Sequence, residues 1–490
     1  MMPEKRHFIA NMWKQGTGEE FASIDPASDE VIWRGASAGP DEVEEAVRAA
    51  KEAWEAWADK DAADRVHYLE AFAERLQTEK VELADIISRE TGKPRWESLT
   101  EVAAMVSKVE LSVRAYVDRC GTVVGQVGET RAITRFRPHG VIGVFGPFNL
   151  PGHLPNAHIV PALLAGNTVV FKPSEQAPLV AEKLLELWHS AGLSPGVLNM
   201  VQGGRDTGMA LAGNPGLDGL FFTGSAQTGK ALHRAFGGHP EKILALEMGG
   251  NNPLIVYEVS DVDAAAYVTL ESAYITAGQR CTCARRLIVP LGTEGDRFLA
   301  RLRTMAGEIR VGAYTEQPEP FMGPVISHDA AAGLLKAQEA LEKAGGAVLV
   351  PMESMPRKGS FLCPGLMDVT EVRNLPDVEL FGPFLQVLRV RDVDEALREA
   401  NRTAYGLAAG LLSDDKKLYE RFVRSVHAGI INWNRQTTGA SGALPFGGVG
   451  QSGNHRPSGY FAADYCSYPI ASLEMDQLKL PQSLPTGMKP

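Results

Sequence analysis

The segment Ala277-Gly278-Gln279-Arg280-Cys281-Thr282-Cys283-Ala284-Arg285-Arg286 carries the most nucleophilic residue type in the chain. Cysteine attacks as its thiolate, and a free thiol ionises only near pH ~8.5, so a working nucleophile needs positive potential or backbone donors around it. Arg280, Arg285 and Arg286 crowd the segment, and Gly278 allows close backbone approach before the thiol. The same residues leave two other readings open. One is a buried structural cysteine, the default for a lone Cys. The other is a metal site on Cys281 and Cys283, although no second Cys pair or His pair sits nearby at ligand spacing.

Four more segments carry residue types that suit a Cys281 chemistry. In Leu246-Glu247-Met248-Gly249-Gly250-Asn251-Asn252-Pro253 a glutamate ends an apolar run and two glycines follow, where α/β sheets put ligands. A carboxylate in a semi-apolar pocket holds its proton to higher pH and can serve as a general base; a solvent-exposed turn glutamate is the alternative. In Phe145-Gly146-Pro147-Phe148-Asn149-Leu150-Pro151 two prolines pin a loop. Asn149 between them can donate an amide hydrogen to a developing oxyanion, or be an ordinary turn Asn. Phe222-Thr223-Gly224-Ser225-Ala226-Gln227-Thr228-Gly229-Lys230 reads as a strand, a glycine-bounded loop and a helix start, a geometry that accepts phosphate. Gly224 and Gly229 are five apart, so this is not GxGxxG and a plain strand-to-helix turn stays open. Phe171-Lys172-Pro173-Ser174-Glu175 sets a Lys and an acid where ribose hydroxyls can be held, or is a solvated helix start.

Such segments need a rigid scaffold, and the patterning predicts an α/β one. Asp41 and Glu44 form a capping-box-like helix start, followed by Val43, Val47, Ala50, Trp54 and Trp57 at helical spacing. A second helical pattern covers about 61–77, and a third runs from Thr78 to the stop at Gly92-Lys93-Pro94. The tryptophans in this region read as core. From residue 141 short β-rich runs (141–145, 168–171, 197–201, 220–222, 243–247) alternate with helical segments such as 156–165 and 175–191. That alternation predicts a parallel sheet covered on both faces. A second series starts near Pro253 and passes Leu411, suggesting a second α/β domain. Residues 120–136 read as a hairpin standing apart, and the Pro-rich tail from Pro481 as extended.

Bulk properties narrow the function classes. The 490 residues carry 49 basic and 60 acidic side chains, net −11, which argues against a nucleic-acid partner. Five cysteines in this length imply no disulfide framework and suit a reducing, cytoplasmic compartment. Met1 to Trp13 is charged and lacks an apolar core, so it does not read as a signal peptide, and no apolar run is long enough to span a membrane.

Taken together and in this order, the segments resemble the aldehyde dehydrogenase superfamily over nearly the whole chain. The Asn149 loop, Lys172 to Glu175, the Gly224–Gly229 loop, Glu247-Met-Gly-Gly, Gly278-Gln-Arg-Cys281, Glu379-Leu-Phe381-Gly382-Pro383 and Pro445-Phe446-Gly447-Gly448 carry the resemblance. Finer stretches are similar to the N-succinylglutamate 5-semialdehyde dehydrogenases of bacterial arginine catabolism. These are Gly146 to Asn156, Glu247 to Pro253, Gly278 to Arg286, and Ser452-Gly-Asn-His-Arg-Pro-Ser458. Leu150 stands where the family usually has Phe, and Met248 where it more often has Leu.

The resemblance implies a fold of three parts: a Rossmann-like NAD-binding domain (1–118 and 139–250), an α/β catalytic domain (251–446) and a small β oligomerisation element (119–138 and 465–490). It implies that Cys281 attacks the aldehyde, that Asn149 and the Cys281 N–H hold the oxyanion, and that the thiohemiacetal gives up hydride to NAD and leaves a thioester, which water activated by Glu247 hydrolyses. Lys172 and Glu175 would hold the adenosine ribose, Gly224, Ser225, Ala226, Gln227, Thr228 and Gly229 the pyrophosphate, and Glu379 and Phe381 the nicotinamide end. Glu175 would favour NAD over NADP, and no metal is implied. A dicarboxylate aldehyde needs cationic partners, and Arg280, Arg435, His455 and Arg456 fall in segments flanking the substrate funnel, each with a structural ion pair as the alternative. The implied assembly is a homodimer or dimer of dimers. Two rivals remain: a CoA-acylating or esterase-like relative, and a non-catalytic dinucleotide-binding protein.

Overall fold

The computed structural model describes residues 7–481 and 483–489. The ends of the two expectations for the chain termini, residues 1–6, 482 and 490, lie outside the described residues.

One seven-stranded sheet runs, in spatial order, Ile243–Met248, Gly219–Gly224, Val141–Phe145, Thr168–Lys172, Leu198–Met200, His7–Ile9 and Met12–Lys14. The first five strands pair in parallel. Their side chains are buried over almost every position because helices cover both faces, which is why they read as continuous apolar runs. His7–Ile9 joins antiparallel, with Phe8 opposite Met200, and returns through Met12–Lys14. Sequence patterning missed this pair because three-residue strands leave no period to detect.

The helices α1 (Pro40–Ala58), α2 (Ala62–Thr78) and α3 (Lys80–Thr91) follow the predicted spans closely. α3 stops at Gly92, whose φ of +75° is a left-handed cap, and an added Cβ there would lie 2.6 Å from Pro324 Cγ. Trp57 is core, donating its indole N–H to Leu163 O. The helix α4 (Arg95–Cys120), 26 residues long, was not predicted, and its buried face carries Glu97, Glu101 and Lys108 among Val102, Met105 and Val109. Charges inside the apolar stripe hide the helical period. α4 packs along α5 (His153–Ala165).

After Met248 the chain leaves the first sheet, and four residues later Asn252–Val256 enters a second. That sheet runs Ala347–Val350, Gly365–Asp368, Phe384–Val390, Ala284–Pro290, Asn252–Val256, Ala408–Leu412 and Ile430–Trp433, parallel except for the first pair. The predicted hairpin forms from Val123–Val127 and Thr130–Pro138, starting later than expected because α4 runs on to Cys120. Ser467–Glu474 adds to it over eight residues, from Ser467 opposite Pro138 to Glu474 opposite Arg131. Val123–Val127 is exposed along its length and forms one edge of this sheet, Ser467–Glu474 the other. The helix expected from Glu175 begins at Pro178, so Glu175 sits in the preceding turn. Among the described residues no helix is long and apolar enough to cross a membrane.

Candidate active site

A cleft of about 750 Å³ lies where the two larger sheets meet, and Cys281, Glu247 and Asn149 all line it. Cys281 follows an unusual run of backbone. Thr276, Ala277 and Gly278 are left-handed in succession, with φ of 58°, 51° and 70°. Only glycine fits the last position, since a Cβ on Gly278 would meet Gly382 O at 2.0 Å. The turn then closes with Cys283 N donating to Arg280 O at 3.0 Å before the strand Ala284–Pro290 begins. Asn252 locks it from the side: its Nδ2 donates to Cys281 O (2.7 Å) and Cys283 O (2.9 Å), while its Oδ1 accepts from Ala408 N. The Cys281 backbone N–H makes no hydrogen bond to protein among the described residues.

Burial, then the carboxylates of Glu379 and Glu247, push the Cys281 thiol up to about 12; Arg285 acts the other way but does not offset them. The arginines expected to activate the thiol are therefore a correction. Arg280 pairs with Glu97 at 2.9 Å and donates to Thr276 Oγ1. Arg285 is fully buried and donates to the carbonyls of Gly278 and Arg280. Arg286 donates to the carbonyls of Asn251, Glu399 and Ala400. Arg285 and Arg286 thus direct their donors to backbone carbonyls, and Arg280 to the side chains of Glu97 and Thr276. Cys283 is buried, and no group of His, Cys, Asp or Glu among the described residues could hold a metal ion.

Asn149 sits in the loop between the strand Val141–Phe145 and α5, and its side chain is buried. Lys93 Nζ donates to Asn149 O at 2.9 Å and forms a buried ion pair with Glu101. Glu101 Oε1 in turn accepts from Gly152 N (2.9 Å) and His153 N (3.1 Å). The loop is thus held at Asn149 and at its junction with α5, while the Asn149 carboxamide makes no hydrogen bond to protein among the described residues. Glu247 is the penultimate residue of the strand Ile243–Met248, which the segment 453–458 grips: Asn454 accepts from Leu246 N and donates to Leu244 O. Glu247 Oε1 accepts from Ser458 N at 3.4 Å, and buried Oε2 has no partner among the described residues. Burial holds this carboxyl well above the usual carboxylate range.

The rest of the cleft suits a dinucleotide. Gly224, Ser225, Gln227 and Thr228 line it at the start of the helix Ala226–Phe236, where Ser225 caps Thr228 N at 3.2 Å. Ala226 and Gly229 do not line it; a Cβ on Gly229 would meet Met248 Sδ at 2.2 Å, so this glycine serves helix-to-strand packing. Lys172 Nζ is fixed by the carbonyls of Pro173 (2.8 Å) and Gly203 (2.7 Å), and burial lowers its pKa to about 8. Glu175 is exposed at the rim, 3.9 Å from Lys172. Towards Cys281, Glu379 accepts from Gly250 N at 3.3 Å, and burial raises it to about 7. Gly249 leaves room for it, since a Cβ there would stand 1.8 Å from Glu379 Oε2. Phe381 packs edge-on to Phe148, with centroids 5.9 Å apart. A helix N-terminus for pyrophosphate, an exposed carboxylate for ribose hydroxyls and a cleft of ligand size fit the group.

Arg435, His455 and Arg456 are exposed and do not line the cleft. Sequence reasoning missed the clamps: Lys93, Glu97, Glu101, Asn252, Asn454 and Ser458. Apart from buried charge at helical spacing on α4, none left a local signal, because their partners lie tens to hundreds of residues away.

A sequence profile described as the aldehyde dehydrogenase family matches residues 13–469. The chain is 56% identical over 482 residues to an N-succinylglutamate 5-semialdehyde dehydrogenase of Ectopseudomonas mendocina, covering 98% of this chain and 99% of that one. It is 55% identical over 481 residues to the protein of the same name from Hahella chejuensis, covering 98% of each. Its fold is similar to the crystal structure of an NAD-dependent aldehyde dehydrogenase from Sinorhizobium meliloti, with a TM-score of 0.92, 27% identity, and coverage of 98% of this chain and 97% of that one. With a family match across almost its whole length and a thiol, a carboxyl and an amide sharing one cleft, this chain belongs to the aldehyde dehydrogenase family.

Proposed function

We propose that the chain oxidises N-succinyl-L-glutamate 5-semialdehyde to N-succinyl-L-glutamate, a step of bacterial arginine degradation, with NAD as acceptor. The observation that carries the chemistry is the meeting of Cys281, Asn149 and Glu247 in one cleft. The substrate rests on the relatives of that name, at 55–56% identity across 98% of the chain.

Cys281 gives up its thiol proton to solvent water and, as the thiolate, adds through Sγ to the aldehyde carbon; the oxyanion of the thiohemiacetal is held by Asn149 Nδ2–H and the Cys281 N–H. Both donors lack other protein partners among the described residues, so neither must break such a bond to act. A bound nicotinamide supplies the hydride acceptor, and the carbon is left as a thioester on Cys281. Glu247 then takes a proton from water, whose oxygen attacks the thioester and releases the acid and the thiol. The raised pKa of Glu247 brings its proton affinity towards the working pH, where a general base is most effective. Lys172 and Glu175 hold the adenosine ribose, the 224–229 segment lies against the pyrophosphate, and Glu379 and Phe381 hold the nicotinamide end. The exposed carboxylate of Glu175 repels a ribose 2′-phosphate, which favours NAD over NADP.

The chain divides into 1–118 with 139–250 for the cofactor, 251–446 for catalysis, and 119–138 with 465–490 for assembly, a reading that the separate sheets support. The bare strand Val123–Val127 supports a homodimer, or a dimer of dimers, formed by strand pairing. Five free cysteines suit the cytoplasm.

The test is NADH formation with N-succinylglutamate, glutamate and succinate semialdehydes and simple aliphatic aldehydes, using NAD or NADP, with and without CoA. The expected result is highest kcat/KM for N-succinylglutamate semialdehyde with NAD and no need for CoA. Preference for aliphatic aldehydes overturns the substrate, and CoA-dependent turnover overturns the hydrolytic step.

A further inference from the structure

Helix α4 buries Glu97, Glu101 and Lys108, at 1%, 3% and 3% exposure. Buried charge is costly unless each group is bonded. The three residues are spaced i, i+4 and i+11, so they share one face of the helix, and the outer two are about 16 Å apart along its axis. Each is bonded to a different segment of the active site. Glu97 Oε1 accepts from Thr276 Oγ1, the first residue of the left-handed run 276–278, and, at 2.9 Å, from Arg280 Nη2, the residue before Cys281. Glu101 accepts from Gly152 N and His153 N and pairs with Lys93, whose Nζ donates to Asn149 O. Lys108 Nζ donates to Gly459 O at 2.8 Å, beside Ser458, whose N–H reaches the Glu247 carboxylate.

We infer that one face of α4 is the common rail that sets the nucleophile, the oxyanion amide and the general base relative to one another, with Glu97, Glu101 and Lys108 as positioning residues. The inference rests on the roles proposed above for Cys281, Asn149 and Glu247. Thr276 and Ala277 hold left-handed backbone that costs free energy in a non-glycine residue, and Glu97 grips this run at Thr276. Lys108 has no carboxylate partner among the described residues, and burial lowers it to about 8. A buried cation spent on one carbonyl of the turn next to the base is explained by positioning.

The three bonds serve different steps, so their loss has different kinetic signatures. In stopped-flow NADH formation with NAD-loaded full-length enzyme and the best aldehyde of the panel, the burst reports thiol attack and hydride loss, and the steady state reports thioester hydrolysis. Glu97→Gln and Glu101→Gln are expected to slow the burst on the order of 10²-fold, the usual effect of misplacing reacting groups by about 1 Å. Lys108→Met is expected to keep the burst and slow the steady state, and Lys108→Arg to restore part of it. Should a single variant fold poorly, the neutral pair K93M/E101L removes both charges together, and Thr276→Val removes one Glu97 contact; each is expected to slow the burst. A burst at the wild-type rate in K93M/E101L and T276V, or equal slowing of both phases in K108M, overturns the inference. Asn149→Ala and Glu247→Gln test the underlying roles separately: if they impair the burst and steady state respectively while the α4 variants do not, only the rail is wrong.

Discussion

Burial and the charges of Glu379 and Glu247 push the Cys281 thiol in the cleft up to about 12, so the cofactor-free enzyme has a sluggish nucleophile. The perturbation is pH, and the assay is alkylation of the Cys281 peptide by iodoacetamide, followed by mass spectrometry. At pH 8 a thiol of pKa about 12 is ionised to roughly one part in 10⁴, whereas a free thiol near 8.5 is ionised to about a quarter. The greater nucleophilicity of a more basic thiolate recovers part of that gap, leaving alkylation on the order of 10²-fold slower than for a free thiol. The rate should climb about tenfold per pH unit and keep climbing through pH 10. Glu379 and Glu247 both push the thiol upward. Glu379→Gln or Glu247→Gln removes one of these charges and is expected to lower the thiol pKa and to speed alkylation at pH 9. A plateau at or below pH 8.5, or slower alkylation in both variants, would refute the reasoning.

Three further outcomes are expected. Asn149→Ala loses a donor aimed at developing charge, so kcat and kcat/KM for the aldehyde should fall together by about 10²–10³; a change confined to KM would contradict the role. Glu247 acts as its ionised form and its pKa is raised, so steady-state turnover should drop as pH falls through that raised value while the NADH burst amplitude persists; loss of both phases together would point elsewhere. Gly278→Ala forces a side chain into left-handed backbone at φ +70° and against Gly382 O, and should cost more than about 2 kcal/mol in denaturant unfolding; an unchanged midpoint would show that the turn can give.

The parallel strands of the first sheet were legible because burial on both faces leaves continuous apolar runs between turn residues, as at Val141–Phe145 and Ile243–Met248. Motif chemistry at Asn149, Glu247 and Cys281 was legible as short segments, and the cleft brings these three together. Helix α4 was not, since its buried face mixes Glu97, Glu101 and Lys108 with apolar residues and so imitates an exposed pattern. The arginines around Cys281 suggested a cationic cradle by proximity in sequence, yet the fold turns Arg285 and Arg286 onto carbonyls. Gly229 belongs to packing against Met248 rather than to the cleft wall, a distinction that only three-dimensional contact makes.

The covalent intermediate offers the most direct measurement. Glu247→Gln keeps the shape and the Ser458 contact but removes the base that frees the thioester. After mixing this variant with NAD and N-succinylglutamate semialdehyde and quenching in acid, intact-mass and peptide spectra should show one acyl group per chain, on Cys281, absent in Cys281→Ala. An unmodified Cys281 during NADH formation, or the acyl group on another residue, would contradict it.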